Sequence, residues 1–226
     1  MLVPAAMEIV RRLVKPERES NNRKSYRDKW WIFAEPRTAM RAAVAELDRC
    51  PVLPGHGKRL SLAWYSTDVL PSNATDVFAF EDDFSMGVLL SRIHDAWAWD
   101  RASTLKGDLR YTPTSVFMTF PWARSFANAD QRERVAEASR ELLMRRSEIC
   151  QTERIGLTTL YNQVDEGAWK DLKALHRRLD EVVADCYGWP KSVAQDDAEI
   201  VRRLTALNRR IVEGDLPYEP FGYLTD

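Results

Sequence analysis

The segment Leu105-Lys106-Gly107-Asp108-Leu109-Arg110-Tyr111-Thr112-Pro113, running on through Thr114-Ser115-Val116-Phe117-Met118-Thr119-Phe120 to Pro121-Trp122, is where the chain changes character. A cation, an anion and a second cation, Lys106, Asp108 and Arg110, stand directly before a Tyr-Thr-Pro turn and an aromatic run. The β-branched and aromatic content of Val116–Phe120 predicts a strand, reached by a charged loop. Before this segment, short apolar runs bounded by turn residues mix with helical periods. After it, every apolar pattern has the helical period.

Toward the N-terminus, Asp82 and Asp83 can cap a helix from about Phe84 to Trp99, with Met86, Leu89, Leu90, Ile93 and Trp97 keeping the period. Leu60–Tyr65 and Val77–Phe80 read as strands, and the loop Pro54–Arg59 precedes the first. Trp30–Phe33 reads as a buried strand. Pro36 suits the first residue of a helix reaching about Leu47. Residues 4–14 look helical, and the polar segment that follows them reads as an exposed connector. Toward the C-terminus, Gln131–Cys150, Glu166–Tyr187 and Asp197–Glu213 form amphipathic periods, and Gly188 with Pro190 stops the second. The predicted class is α+β: a mixed α/β domain over residues 1–125 with a basic N-terminal connector, followed by an all-helical domain over residues 126–226.

A chain of 226 residues, 45% hydrophobic and 30% charged with eight tryptophans, has the composition of an ordered soluble globule. It has no apolar run long enough to cross a membrane and no secretory signal pattern, and its three cysteines are far apart, which predicts a cytoplasmic protein with free thiols and no metal site. The net charge of −1 hides an asymmetry. Residues 1–59 hold 13 Lys and Arg against 7 Asp and Glu, whereas residues 129–226 hold 15 against 19. A basic first part suits a polyanion.

Catalysis finds little support. Neither a dinucleotide fingerprint nor a P-loop occurs, and Gly55-His56-Gly57-Lys58-Arg59 lacks the preceding hydrophobic strand that a phosphate cradle needs. His56, His94 and His176 accompany no nucleophile motif, and the acids Glu81-Asp82-Asp83 at a helix start complement its dipole. No catalytic residue, metal ligand or cofactor site is assigned. Binding is better supported. Arg11, Arg12, Lys15, Arg18, Arg23, Lys24, Arg27 and Lys29 can contact phosphates, although the same run suits a solvated connector. Lys106 and Asp108 are more pointed: lysine donates to guanine O6 and N7 in the major groove, and a carboxylate accepts from the amine of the paired cytosine.

The collinear order Lys15-Pro-Glu-Arg18, Tyr26-Arg-Asp-Lys-Trp-Trp31, Glu35-Pro-Arg37, Phe84-x-x-Gly-Val-Leu-x-Ser-Arg-x-His-x-x-Trp97, Arg110-Tyr-Thr-Pro-Thr114 and Thr119-Phe-Pro-Trp122 resembles the C-terminal part of the MmeI-like (type IIL) restriction-modification and adenine-specific DNA methyltransferase proteins. Leu157-Thr-Thr-Leu-Tyr-Asn162, Leu179-Asp180, Tyr187-Gly-Trp-Pro190 and Leu204-x-x-Leu-Asn208 continue it. The BREX and DISARM phage-defence methyltransferases are related to the same group.

The resemblance implies a target recognition domain for double-stranded DNA, followed by a helical domain. It implies that S-adenosylmethionine is bound by an upstream methyltransferase domain, in the same chain or a separate subunit, and that some relatives add a nuclease. It also implies base reading at the positions before the Arg-Tyr-Thr motif, here Lys106 and Asp108, with Arg110 and Tyr111 as scaffold or backbone contacts. His56, Lys58 and Arg59 in the glycine-bearing loop, and Arg18, Arg23, Lys24 and Arg27 in the connector, are further candidate DNA contacts. A protein-docking module of a phage-defence methyltransferase complex is the alternative reading.

Overall fold

The computed structural model describes residues 3–32, 36–105 and 107–221. The chain divides into two compact units, one up to Ala45 and one from Glu46.

The first unit is built of short helices: α1 (Pro4–Leu13), α2 (Lys15–Glu19), α3 (Lys24–Asp28) and α4 (Thr38–Ala43). Pro4 opens α1, where its missing N–H has no partner to lose. The expected strand at Trp30–Phe33 is not one: Trp30–Ile32 lies in a turn, and Phe33 lies outside the described residues. Trp30 and Trp31 pack edge to face at 5.6 Å and the Lys15 ammonium sits over Trp30 at 5.7 Å, so local aromatic contacts take up the apolar burst. The helix expected from Pro36 shortens to α4, because Arg37 enters it in the left-handed conformation (φ 51°) without capping it.

The second unit carries two small antiparallel sheets. Strand β1 (Arg49–Pro54) lies between β3 (Ala63–Ser66) and β4 (Thr75–Val77). The second sheet has the order β2-β6-β5, from β2 (His56–Gly57), β6 (Asp108–Arg110) and β5 (Ser103–Leu105). Pro51 and Pro54 hide β1 from a sequence reading, since proline argues against a central strand. Pro51 lies opposite Trp64 of β3 but beyond the register of β4, which begins at Val52.

The helix expected over residues 84–99 is two, α5 (Asp83–Leu90) and α6 (Arg92–Arg101). Between them Ser91 is extended (φ −74°, ψ 153°). Its hydroxyl donates to the Val88 carbonyl at 2.7 Å and accepts from His94 N at 3.4 Å, closing one helix and capping the next. Asp82 caps α5 as expected, accepting from Ser85 N at 2.9 Å. The helices α7 (Ala129–Glu153), α8 (Leu157–Asp165), α9 (Lys170–Cys186) and α10 (Asp197–Val212) complete the unit. The expected helix from Glu166 begins later, because Gly167 (φ 99°) and Trp169 (φ 51°) turn the chain first.

Residues 116–120, expected as a strand, form an irregular run whose carbonyls are satisfied by side chains. Trp97 Nε1 donates to Val116 O at 3.1 Å, Asn208 to Thr119 O at 2.6 Å, Tyr218 to Phe120 O at 2.8 Å and Tyr187 to Pro121 O at 2.7 Å. With those acceptors engaged, no neighbouring strand is needed. The aromatic content serves the core instead, where Phe120 and Trp122 pack at 5.5 Å. Helix α5 lies on α7 so closely that a Cβ added at Gly87 would meet Val135 Cγ1 at 2.8 Å. One core extends from Leu53 to Leu204, so residue 125 marks a change of secondary structure within continuous packing.

Candidate nucleic-acid interface

The second sheet presents the charged residues of the opening segment. Strands β5 and β6 form a hairpin in which Leu105 faces Asp108 and Ser103 faces Arg110. Of the two connecting residues, Gly107 holds φ 89°, a conformation that L side chains rarely adopt, and Lys106 lies outside the described residues. Alternation along β6 buries Leu109 and turns Asp108 and Arg110 to the other face. There Arg110 pairs in register with His56 of β2 on one side and Ser103 on the other. An exposed row His56–Arg110–Ser103 therefore crosses the sheet, its members roughly 5 Å apart.

Beneath this face lies a buried support. Tyr111 is 4% exposed, so its ring and hydroxyl face the interior. The Nδ1 atom of His94 stands 3.1 Å from Leu89 O, and its Nε2 stands 3.2 Å from the Tyr111 hydroxyl. Burial lowers the His94 pKa to about 4, so the ring is neutral near pH 7. A carbonyl only accepts, so Nδ1 carries the proton and the Tyr111 hydroxyl donates to Nε2. The same burial pushes the Tyr111 phenol far above its ordinary value. Asp76 on β4 is raised by burial, with His56 acting in the opposite direction.

The other candidates divide. Lys58 is exposed, whereas Arg59 is ion-paired with Asp165 and lies 6.0 Å from the Tyr161 ring. In the first unit, Arg18 donates to the Ile32 carbonyl, Arg23 donates to Tyr26 Oη at 3.2 Å and Arg27 to Asn21 O at 2.6 Å, while Lys24 is exposed. The structure thus brings His56, Asp108 and Arg110 onto one sheet face, with Lys58 and Arg59 following in chain. Ser103 joins them unanticipated. Its position follows from strand register, which no local motif announces.

Cys50, Cys150 and Cys186 are free thiols, and burial raises Cys186 to about 12. Among the described residues, no group of His, Cys, Asp and Glu is arranged to hold a metal ion, and no helix is long and apolar enough to cross a membrane.

Residues 56–124, which contain β2, the row and its support, match the MmeI target recognition domain. The fold superposes on a solved type IIL restriction-modification enzyme, MmeI in complex with DNA, with a TM-score of 0.66 and 18% identity, covering 93% of this chain and 27% of that one. Residues 56–124 carry an MmeI-like target recognition domain. The chain's MmeI-like fold is α+β, small antiparallel sheets followed by helices, as the sequence resemblance implied. DNA methyltransferase A of Bacillus subtilis (strain 168) is 31% identical over 120 residues, which span 53% of this chain and 13% of that protein.

Proposed function

We infer that the chain is the sequence-reading part of a DNA adenine-N6 methyltransferase or restriction-modification enzyme. The reading rests above all on the outward row of the β2-β6-β5 sheet inside the segment that matches the MmeI target recognition domain. The major groove is about 12 Å wide and admits a two-stranded ribbon. The β5–β6 hairpin enters it tip first. Lys106 donates to a guanine and Asp108 accepts from the paired cytosine, so the two address one G·C pair. Arg110, His56, Ser103 and Lys58 contact the flanking backbone and fix the register, as phosphate contacts do.

Residues up to about 125 do the reading, and residues 126–226 support them. Arg18, Arg23, Lys24 and Arg27 add phosphate contacts from the first unit. The methyl donor, S-adenosylmethionine, belongs to a methyltransferase domain outside this chain, and the assembly works in the cytoplasm. The experiment is selection of this chain on a randomised duplex library at low and moderate salt, repeated with the charge swap Lys106→Glu and Asp108→Arg. Enrichment of a fixed G·C pair that moves in the swap supports the reading. Retention without enrichment in the parent leaves a general clamp, and no retention at low salt favours a protein-docking module.

A further inference from the structure

A cleft of about 250 Å³ opens in the second unit between the β2–β3 connection, the α5–α6 junction, α8 and α9. Helix α9 sets its order. Lys173, His176 and Asp180 all line it, and their three- and four-residue spacing puts them on one helix face. The first and last therefore stand about 10 Å apart along the axis.

Two carboxylates meet at one end. Asp180 is 7% exposed, and one of its oxygens accepts from Arg92 N at 2.7 Å, which leaves the other without a donor among the described residues. Asp95 of α6 lines the same cleft, and its carboxylate has no hydrogen bond among those residues. The nearby guanidiniums are engaged elsewhere: Arg92 Nε with Asp197 at 2.6 Å and Arg59 with Asp165. An ionised carboxylate taken out of water without donors is unfavourable, so these oxygens are acceptors open to a ligand. The middle of the cleft is a wall. The Tyr161 hydroxyl and His176 Nε2 stand 3.0 Å apart, their rings meet edge to face at 5.6 Å, and Leu60, Leu90 and Val164 add apolar surface. At the other end Lys173 is exposed, with no ion pair among the described residues.

We propose that the cleft binds a guanine nucleotide, with Asp95 and Asp180 accepting from the base, Tyr161 and His176 flanking it and Lys173 holding the phosphate. The order of acceptor, ring and cation along α9 matches the order of base edge, ring system and phosphate in a nucleotide. A small amine or a lone anion would use only one end. Guanine suits the acceptors because its pairing edge offers two neighbouring N–H donors to an ionised carboxylate, whereas adenine offers one donor beside an acceptor. The volume lies just under the roughly 300–1,000 Å³ of a drug-sized ligand site, so the base fills the cleft and the phosphate stays at its open mouth. The nucleotide is either free or an unpaired guanine of a nucleic-acid strand.

The test is calorimetric titration of guanosine monophosphate into the full chain at pH 8, where the Asp95 and Asp180 carboxyls, raised by burial to about 6 and about 7, are both ionised. Saturable binding is expected, about tenfold weaker for adenosine monophosphate, which lacks the second donor, and for guanosine, which lacks the phosphate. Lys173→Ala should bring guanosine monophosphate down to the level of guanosine. Asp95→Asn should remove the preference for guanine over adenine. If Asp95→Asn does not fold, Lys173→Ala decides. No saturable binding by the parent, equal binding of guanosine monophosphate and either control, or undiminished binding by Lys173→Ala overturns the proposal. Displacement by a guanine-containing single-stranded oligonucleotide assigns the site to a strand, and independent binding of the two assigns it to a free nucleotide. The titration uses no duplex, so its outcome is separate from the sequence-reading role.

Discussion

The hydroxyl of Tyr111 donates to Nε2 of the buried His94 at 3.2 Å, tying the segment that follows β6 to helix α6. Removing the hydroxyl alone leaves the ring packed against Phe78 at 5.8 Å but orphans a buried acceptor. Tyr111→Phe should therefore cost about 1–3 kcal/mol of unfolding free energy. Urea denaturation measures it. A loss confined to DNA binding at unchanged stability would contradict a scaffold role for Tyr111.

Asp180 makes stability depend on pH. Burial raises its folded pKa to about 7, against the ordinary carboxylate value near 4 in the unfolded chain. Its contribution to stability is complete below the ordinary value and is lost as pH rises through about 7. Asp95, raised to about 6, acts in the same direction. His94 and His176, each lowered to about 4, act oppositely: their contribution is present above about 6.5 and is lost as pH falls toward 4. Asp180→Asn keeps an acceptor for Arg92 N and removes one titration. The difference between variant and parent stability should grow in favour of the variant from pH 4 to pH 7. A flat difference curve from urea unfolding at several pH values would refute this.

The sequence made some of these relationships legible and concealed others for identifiable reasons. Asp82 as a cap, Gly188 as a stop (φ 67°) and the stripes of α7, α9 and α10 are local signals, and they correspond to the structure. The break at Ser91 was hidden because Leu89, Leu90, Ile93 and Trp97 keep one helical period across it. The Val116–Phe120 run misled because β-branched and aromatic residues serve a pleated sheet and an irregular core segment equally well. What separates the two is the set of donors from Trp97, Asn208, Tyr218 and Tyr187, as many as 98 residues distant in the chain. On the candidate face, the placement of Asp108 and Arg110 on one side of a strand follows from their spacing. The row with His56 and Ser103 does not, because it exists only once three strands are in register.

Gly87 and Gly107 should respond differently to alanine. At Gly87 an added Cβ would meet Val135 and Ser139 within 3.1 Å, so Gly87→Ala should separate α5 from α7 at a cost of about 1–3 kcal/mol, more than the roughly 1 kcal/mol that helix propensity returns. Nothing lies within 4 Å of a Cβ at Gly107, but its φ of 89° strains any L side chain. Gly107→Ala should therefore leave the helical core intact by circular dichroism while weakening selection of the preferred duplex. An equal loss of global stability in both variants would show that the hairpin is coupled to the core more tightly than its open surroundings indicate.

Arg110 separates positioning from reading. It is exposed in mid-row between His56 and Ser103, whereas Asp108 is set at the hairpin end opposite Leu105. A guanidinium that contacts phosphate lowers affinity for every sequence when it is removed and reduces the salt slope by about 1, because one fewer counterion is released. Arg110→Ala should do this without changing the preferred sequence, and Lys58→Ala should add a second, independent decrement. Asp108→Ala should instead relax one base pair and leave the salt slope unchanged, since a carboxylate releases no cation from the duplex. Binding of a matched and a mismatched duplex across a salt series measures all three. Relaxed selectivity in Arg110→Ala would move base reading from the hairpin tip to the middle of the row.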